Sequence, residues 1–322
     1  MGRDNPSLLG FLLRRTVLGV AVLVFVTVFD YGIMRAARPD LFPGEELVPG
    51  TAHDVTRAVV HLDLKEACSL PGCPKLTTLF ARGIPTDLYL LVGALAIGVT
   101  VGITAGMFCA SRPRTRTART IETVAAVAYC TPVYVVGMGL LLLFEPSFGI
   151  LHAPLFFHAG DYAPPLENPW MWLKGMVVPW LILASPLAAI CLRVTHATIL
   201  PTLDEPYIQT ARAKGLKRRL VLRRHAAPEA YVSNASLLGA WAPFMVTNMM
   251  LVEFVFFVPG VFSHTKRALG DLANDPKPPD IPLLQGLALW AAVLVVALSL
   301  LSDLALHRLD PRIRTANAVP PG

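Results

Sequence analysis

The chain has 322 residues, 54% of them apolar (AVILMFWYC), 16% charged, and a formal net charge of +6; its mean hydropathy is +0.55. Soluble domains run at about 45–50% apolar with glycine counted, and about 25% charged, because their surface needs polar cover. These values exclude an ordinary cytosolic enzyme, a disordered chain and a disulfide-rich secreted module. They leave a polytopic membrane protein whose cations are read by position.

A helix needs ~20 mostly apolar residues to cross a hydrocarbon core of ~30 Å. Residues 1–15 form a short basic tail with Arg3, Arg14 and Arg15. The first expected span is 16–34, interrupted late by Asp30; no clean small-x-small site follows it, so it reads as an uncleaved anchor. An outer loop, 35–85, follows. Its stretch 54–64 has helical apolar spacing, and Cys68 and Cys73 flank a Pro71-Gly72 turn. Outside a membrane that pair either closes a small disulfide loop, the favoured reading, or remains as two free thiols. A metal site fits less well, since only a distant His61 could join the two cysteines.

The second expected span, 86–110, carries Gly93, Gly98, Gly102 and Gly106, the last three at four-residue intervals. Small residues at that spacing let helices approach closely in lipid, within this chain or against a partner. Arg112, Arg114, Arg116 and Arg119 crowd the next loop. The third span is expected at 121–144 and the fourth at 172–192, the fifth at 235–258 and the sixth at 283–301. Pro132, Pro179, Pro186 and Pro243 fall inside them, where prolines are tolerated and allow bending. Residues 307–322 form the closing tail. Of the 28 Lys and Arg, 18 fall on the side of the two termini, which the positive-inside rule makes cytoplasmic. The expected fold is all-α: one transmembrane domain over 1–322, with six spans and a cytoplasmic loop at 196–233.

That loop contains a short capped helix. Asp204 is a suitable N-cap, Pro206 suits a first turn, and Gly215 is a natural residue just past the end. Tyr207, Thr210, Ala211 and Lys214 are spaced to share a face. The small side chains of Thr210-Ala211-Arg212-Ala213 suit a protein groove better than burial in lipid. Arg212 and Lys214 read either as partners for acidic groups or as a solvated basic edge. A second basic stretch, 217–225, ends near Pro228.

The chain carries no G-x-x-x-x-G-K-[ST], H-E-x-x-H or G-x-S-x-G signature. No catalytic residue, metal site or nucleic-acid partner is expected, and energised work must draw on a partner or an ion gradient. Glu253 lies about 27 Å up the fifth span from residue 235, near the outer side. A carboxylate there should face the bundle or a watery vestibule, as a structural partner or as part of an outer gate with Phe256, Pro259 and Gly260.

The loop resembles a family motif. Glu205, Tyr207, Ile208, Thr210 to Leu216, Val221, His225 and Ala226 fit E-x-Y-[IV]-x-T-A-R-A-K-G-L followed by V-x-x-x-H-A. That is the coupling-loop pattern of the dipeptide/oligopeptide/nickel branch of bacterial ABC importer permeases. Further likenesses are Phe11 to Arg15, Val252 to Gly260, Asp280 to Gly286 and Leu309 to Arg314, in the family's order. Phe262 departs from a common glycine, and Asn274 to Pro279 looks like a short insertion. The likeness is to the first permease of such importers, a multi-pass protein of the bacterial inner membrane. It implies a second permease, two ATP-binding subunits that hold ATP and Mg, and an extracytoplasmic solute-binding protein, with lipid around them. It assigns ATPase coupling to Glu205, Tyr207, Thr210, Ala211, Arg212, Ala213, Lys214 and Gly215. Peptides are the first expectation for the solute, with nickel chelates as an alternative. An ion-driven secondary transporter competes, but Asp30, Glu122, Glu145, Glu253 and Asp303 sit near expected span ends and no repeat is visible.

Overall fold

The computed structural model describes residues 8–37, 76–144, 150, 162–269 and 280–309, and every regular element among them is a helix. Two compact units emerge. One comprises Met1–Thr86 with Gly260–Leu300, the other Asp87–Pro259 with Leu301–Gly322. The helices are α1 (Leu8–Ala37), α2 (Leu76–Ser111), α3 (Arg116–Cys130), α4 (Val133–Phe144), α5 (Pro169–Thr202), α6 (Pro206–Ala213), α7 (Arg218–Val221), α8 (Ala227–Phe256), α9 (Thr265–Leu269) and α10 (Ile281–Leu309).

Four stretches are long and apolar enough to cross a membrane: Leu76–Ser111, Pro169–Thr202, Leu222–Phe256 and Leu283–Leu309. The pair α3 and α4 makes a fifth if it is one bent span. Helix α1 covers the first expected span, its apolar run lying between Arg15 and Asp30. The six-span count is thus not reached by these stretches alone.

In the first unit α1 and α10 approach closely. A Cβ on Gly19 would lie 2.7 Å from Val296 Cγ1. The start of α2 packs in the same way: a Cβ on Gly83 would meet Val261 N at 2.6 Å. Asp280 caps α10, its Oδ1 accepting from Leu283 N–H at 3.2 Å.

In the second unit α5 packs against both α3 and α8. The glycine face of α2 lies on α5. A Cβ on Gly102 would stand 2.5 Å from Cys191 Cβ and 2.6 Å from Ala188 O, and one on Gly106 would stand 2.6 Å from Thr195 Cβ. The four-residue glycine spacing therefore serves packing within the chain. Trp180 fills the space beside Gly93 and donates its Nε1–H to Tyr89 O at 2.9 Å.

Two expectations need correction. The third span is not one straight helix, since α3 and α4 meet at 98°. Pro132 has no N–H to continue the ladder, and Thr131 before it is held extended at φ −87, ψ 125. Thr131 then closes α3, both its N–H (2.9 Å) and its Oγ1 (2.8 Å) reaching Val127 O. The helices also overrun the expected spans. Helix α5 continues past residue 192 to Thr202, and α8 starts at Ala227 rather than 235. Arg193, one of the 18 cations assigned to the cytoplasmic side and expected in the loop after the fourth span, lies inside α5.

Candidate functional site: the coupling loop and the outer end of α8

The chain between α5 and α8 is mostly helical. Helix α6 starts on Pro206, and its N-cap is Glu205, at φ −64, ψ 143, not Asp204. The residue before a proline is pushed out of the helical region, so the boundary falls at Glu205. Glu205 makes no side-chain cap bond. Asp204 instead offers its carbonyl to Gln209 Nε2–H at 3.0 Å.

The inner face of α6 is apolar. Ile208 (0% exposed) and Ala211 (7%) join Ala110, Ile199, Leu203, Val221, Ala226 and Ala230 in one buried cluster. This corrects the expected shared face. Ile208 and Ala211, three apart, form the apolar stripe that the chain's own core takes in. Ala211 lets α6 approach its own core. Glu205, Tyr207, Gln209, Thr210, Arg212, Ala213, Lys214 and Gly215 remain exposed.

The end of α6 is a Schellman turn. Gly215 sits at φ +78. Its N–H donates to Arg212 O at 2.9 Å, and Leu216 N–H reaches Ala211 O at 3.4 Å. After α7, residues Leu222–Ala226 form one π-type turn, in which Ala227 N–H bonds to Leu222 O. Pro228, having no N–H, removes a bond that a regular helix would make there.

Polar contacts fasten this loop to the helices beneath it. The Arg218 guanidinium donates to Ser111 O at the end of α2. Along α5 and α8, Asn234 Nδ2 donates to Thr195 Oγ1 (2.9 Å) and Thr198 Oγ1 to Ser233 Oγ (3.4 Å). Thr202 Oγ1 lies 2.8 Å from Glu229 Oε2. Burial raises the Tyr207 hydroxyl pKa above its ordinary value, and the carboxylates of Glu229 and then Glu205 raise it further. Glu229 escaped the sequence reading because it follows Gly215 by 14 residues and belongs to α8. The available signal was its place in the first turn of a helix, where a carboxylate is favoured.

At the other end of α8, Glu253 is fully buried and Phe256 is 3% exposed. A Cβ on Gly137 of α4 would lie 3.0 Å from Phe256 Cε2. The helix stops at Phe257, which takes a left-handed φ of 53; Glu253 O accepts from Val258 N–H at 3.1 Å. Pro259 is exposed and Gly260 is buried. Burial of Glu253 agrees with a side chain turned into the bundle. Cys68 and Cys73 lie outside the described residues. Among the described residues no three His, Cys, Asp or Glu gather to hold a metal.

Comparison with known proteins points the same way. Residues 102–315 match the family model described as binding-protein-dependent transport system inner membrane component. A Sinorhizobium fredii protein named as a probable peptide ABC transporter permease is 29% identical, over 94% of this chain and 99% of its own length. A Bacillus subtilis oligopeptide transport system permease protein is 24% identical, over 94% of this chain and 98% of its own length. The chain belongs to the binding-protein-dependent transport system inner membrane component family, the membrane-spanning permease subunits of ABC importers.

Proposed function

We propose that this permease imports peptides, forming half of the translocation pathway beside a second permease. Two ATP-binding subunits bind ATP and Mg and hydrolyse the nucleotide, and an extracytoplasmic solute-binding protein delivers the solute. The whole chain acts as one permease domain with six spans. Helix α1 is the first, the bent α3–α4 pair the third, and both termini are cytoplasmic.

The observation that carries this reading is the construction of α6. Its inner face is locked into the buried cluster, while Tyr207, Thr210, Arg212 and Lys214 stay exposed. A helix fixed on one side and free on the other transmits a push from an ATPase groove into α2, α5 and α8. Arg218 and the Thr202–Glu229 contact tie the same helices together. The permease undergoes no reaction itself; it is a two-state element biased by its partners. Glu205 and Gly215 fix the ends of the pushed helix. Ala211 serves coupling from the inner face, and Ala213 leaves room for close approach at the outer one. Glu253, Phe256, Pro259 and Gly260 shape the outer gate, and a Cys68–Cys73 disulfide closes a small loop on the outside.

The test is reconstitution. The chain is co-expressed with ATPase subunits, a second permease and a solute-binding protein of the same transporter class, purified through one tag, and placed in liposomes. Co-isolation of the ATPases and ATP-dependent uptake of labelled peptide are expected. Stable isolation without any ATPase would refute the coupling reading, and uptake of another solute but no peptide would refute the substrate class.

A further inference from the structure

Helix α2 has two opposite faces. Gly98, Gly102 and Gly106 press against α5. On the other side Tyr89, Val92, Ala96, Thr104 and Arg112 share one exposed face, at steps of three, four and eight residues. Arg112 keeps this register, because its N–H still reaches Phe108 O and Cys109 O, each at 3.1 Å. At 1.5 Å per residue the stripe runs about 35 Å, a little more than the ~30 Å hydrocarbon core. Its polarity follows the bilayer. Tyr89, 40% exposed, stands at one end, where amphipathic rings suit the headgroup level. Val92 and Val101 are exposed along the middle. Thr104 Oγ1 donates to Thr100 O at 2.7 Å, so its hydroxyl needs no partner outside the helix. At the other end the Arg112 guanidinium lies over the Phe108 ring, 5.4 Å from its centroid, a cation resting on an apolar neighbour at the edge of the water.

Three more arginines gather at that end. The chain turns from α2 into α3 at Arg112–Thr115, where Thr115 N–H (3.1 Å) and Thr115 Oγ1 (2.9 Å) both donate to Arg112 O. Cys109 Sγ donates to Ala118 O at 3.7 Å and holds the start of α3 against the end of α2. Arg112, Arg114, Arg116 and Arg119 are all exposed on this tight corner. Among the described residues no carboxylate pairs with any of the four; Glu122, which follows on α3, lies 3.6 Å from His196 Nε2 of α5 instead. Orientation in the membrane accounts for the side on which these cations lie. It does not account for their meeting a lipid-matched face.

We propose that this corner binds an anionic phospholipid of the adjacent leaflet. Arg112, Arg114, Arg116 and Arg119 hold the phosphate, and an acyl chain lies along Phe108, Thr104 and Val101. Guanidinium donors match phosphate oxygens, and each cation at an anionic membrane surface adds attraction. An acidic protein surface would satisfy the arginines but not the hydrocarbon face that continues from them. A phospholipid offers both in one molecule. The site adjoins the coupling loop, since the Arg218 guanidinium donates to Ser111 O beside Arg112. It does not depend on which solute is carried.

The full chain, with a photo-crosslinking residue in place of Thr104, is placed in nanodiscs of equal parts phosphatidylglycerol and phosphatidylcholine. Illumination is expected to give lipid adducts, with phosphatidylglycerol in excess by mass spectrometry. Arg112→Gln and Arg116→Gln should each lower that excess by up to about fivefold, while total lipid labelling holds. Lys174→Gln, which removes a charge at the opposite end of α5, should leave the excess unchanged. With all four arginines present, raising salt from ~0.1 M to ~1 M shortens the screening length from ~10 Å to ~3 Å and should remove most of the excess. Equal labelling of the two lipids, or an excess untouched by both arginine variants, overturns the site. So does crosslinking to an ATPase or to the second permease in place of lipid in the assembled importer, which would make the corner a protein interface.

Discussion

Replacing Gly215 tests the coupling loop most directly. Its φ of +78 is a conformation that L side chains rarely adopt, and no heavy atom lies within 4 Å of a Cβ built there. The penalty for a side chain is therefore conformational and not a clash. An alanine costs about 1–2 kcal/mol in the left-handed region. A β-branched valine is a true outlier there and costs more, whereas asparagine is several-fold enriched at such positions. Against this stand two backbone bonds, Gly215 to Arg212 and Leu216 to Ala211, each contributing about 1 kcal/mol. The alanine penalty is thus comparable to what holds the turn, and the valine penalty exceeds it. Uptake and substrate-stimulated ATP hydrolysis in proteoliposomes should fall together in the order Gly, Asn, Ala, Val. Insertion survives, because the site lies outside the spans, and binding-protein affinity for peptide is untouched. Full uptake by a stably assembled Gly215→Val complex, or equal losses for Asn and Val, would refute the reasoning.

Other substitutions probe the scaffold. Gly102→Val would press into Ala188 O and Cys191 Cβ, so overpacking should destabilise by about 1–3 kcal/mol and lower the melting temperature in detergent; Gly139→Ala, with nothing within 4 Å, should leave it unchanged. Pro132→Ala restores an N–H for Ala128 O and should straighten the α3–α4 break, read as slower thiol labelling of the exposed Cys130. Glu229→Gln removes the larger of the two carboxylate effects on Tyr207, so the phenol should titrate nearer its ordinary value of 10.0 in a spectroscopic titration; an unchanged titration refutes that electrostatic influence. His264 has its pKa lowered from 6.5 by burial and then by Arg267. Its folded form resists protonation, so stability should fall as pH drops through 6.5, and His264→Asn should flatten that dependence in thermal melts at pH 7.5 and 5.5.

Much of this protein is legible in its sequence because the deciding physics is local. Apolar runs of membrane length fix the helical class, since lipid leaves backbone polar groups no other partner. Gly215 marks the end of α6 because a left-handed turn needs a residue without Cβ, and the pattern around it carries the family. Other features depend on neighbours distant in the chain. Five prolines look alike in sequence, yet Pro85, Pro179, Pro186 and Pro243 sit within continuous helices and Pro132 ends one. Pro179 and Pro186 are buried in packed α5, whereas Pro132 is exposed after a threonine that closes the helix beneath it. Spacing alone put Ala211 on the partner-facing side; Ile208 and the core beneath it turned the residue inward. Glu229 meets Thr202 from a separate helix. No periodicity along one segment could announce that contact, because packing between α5 and α8 is what sets its distance.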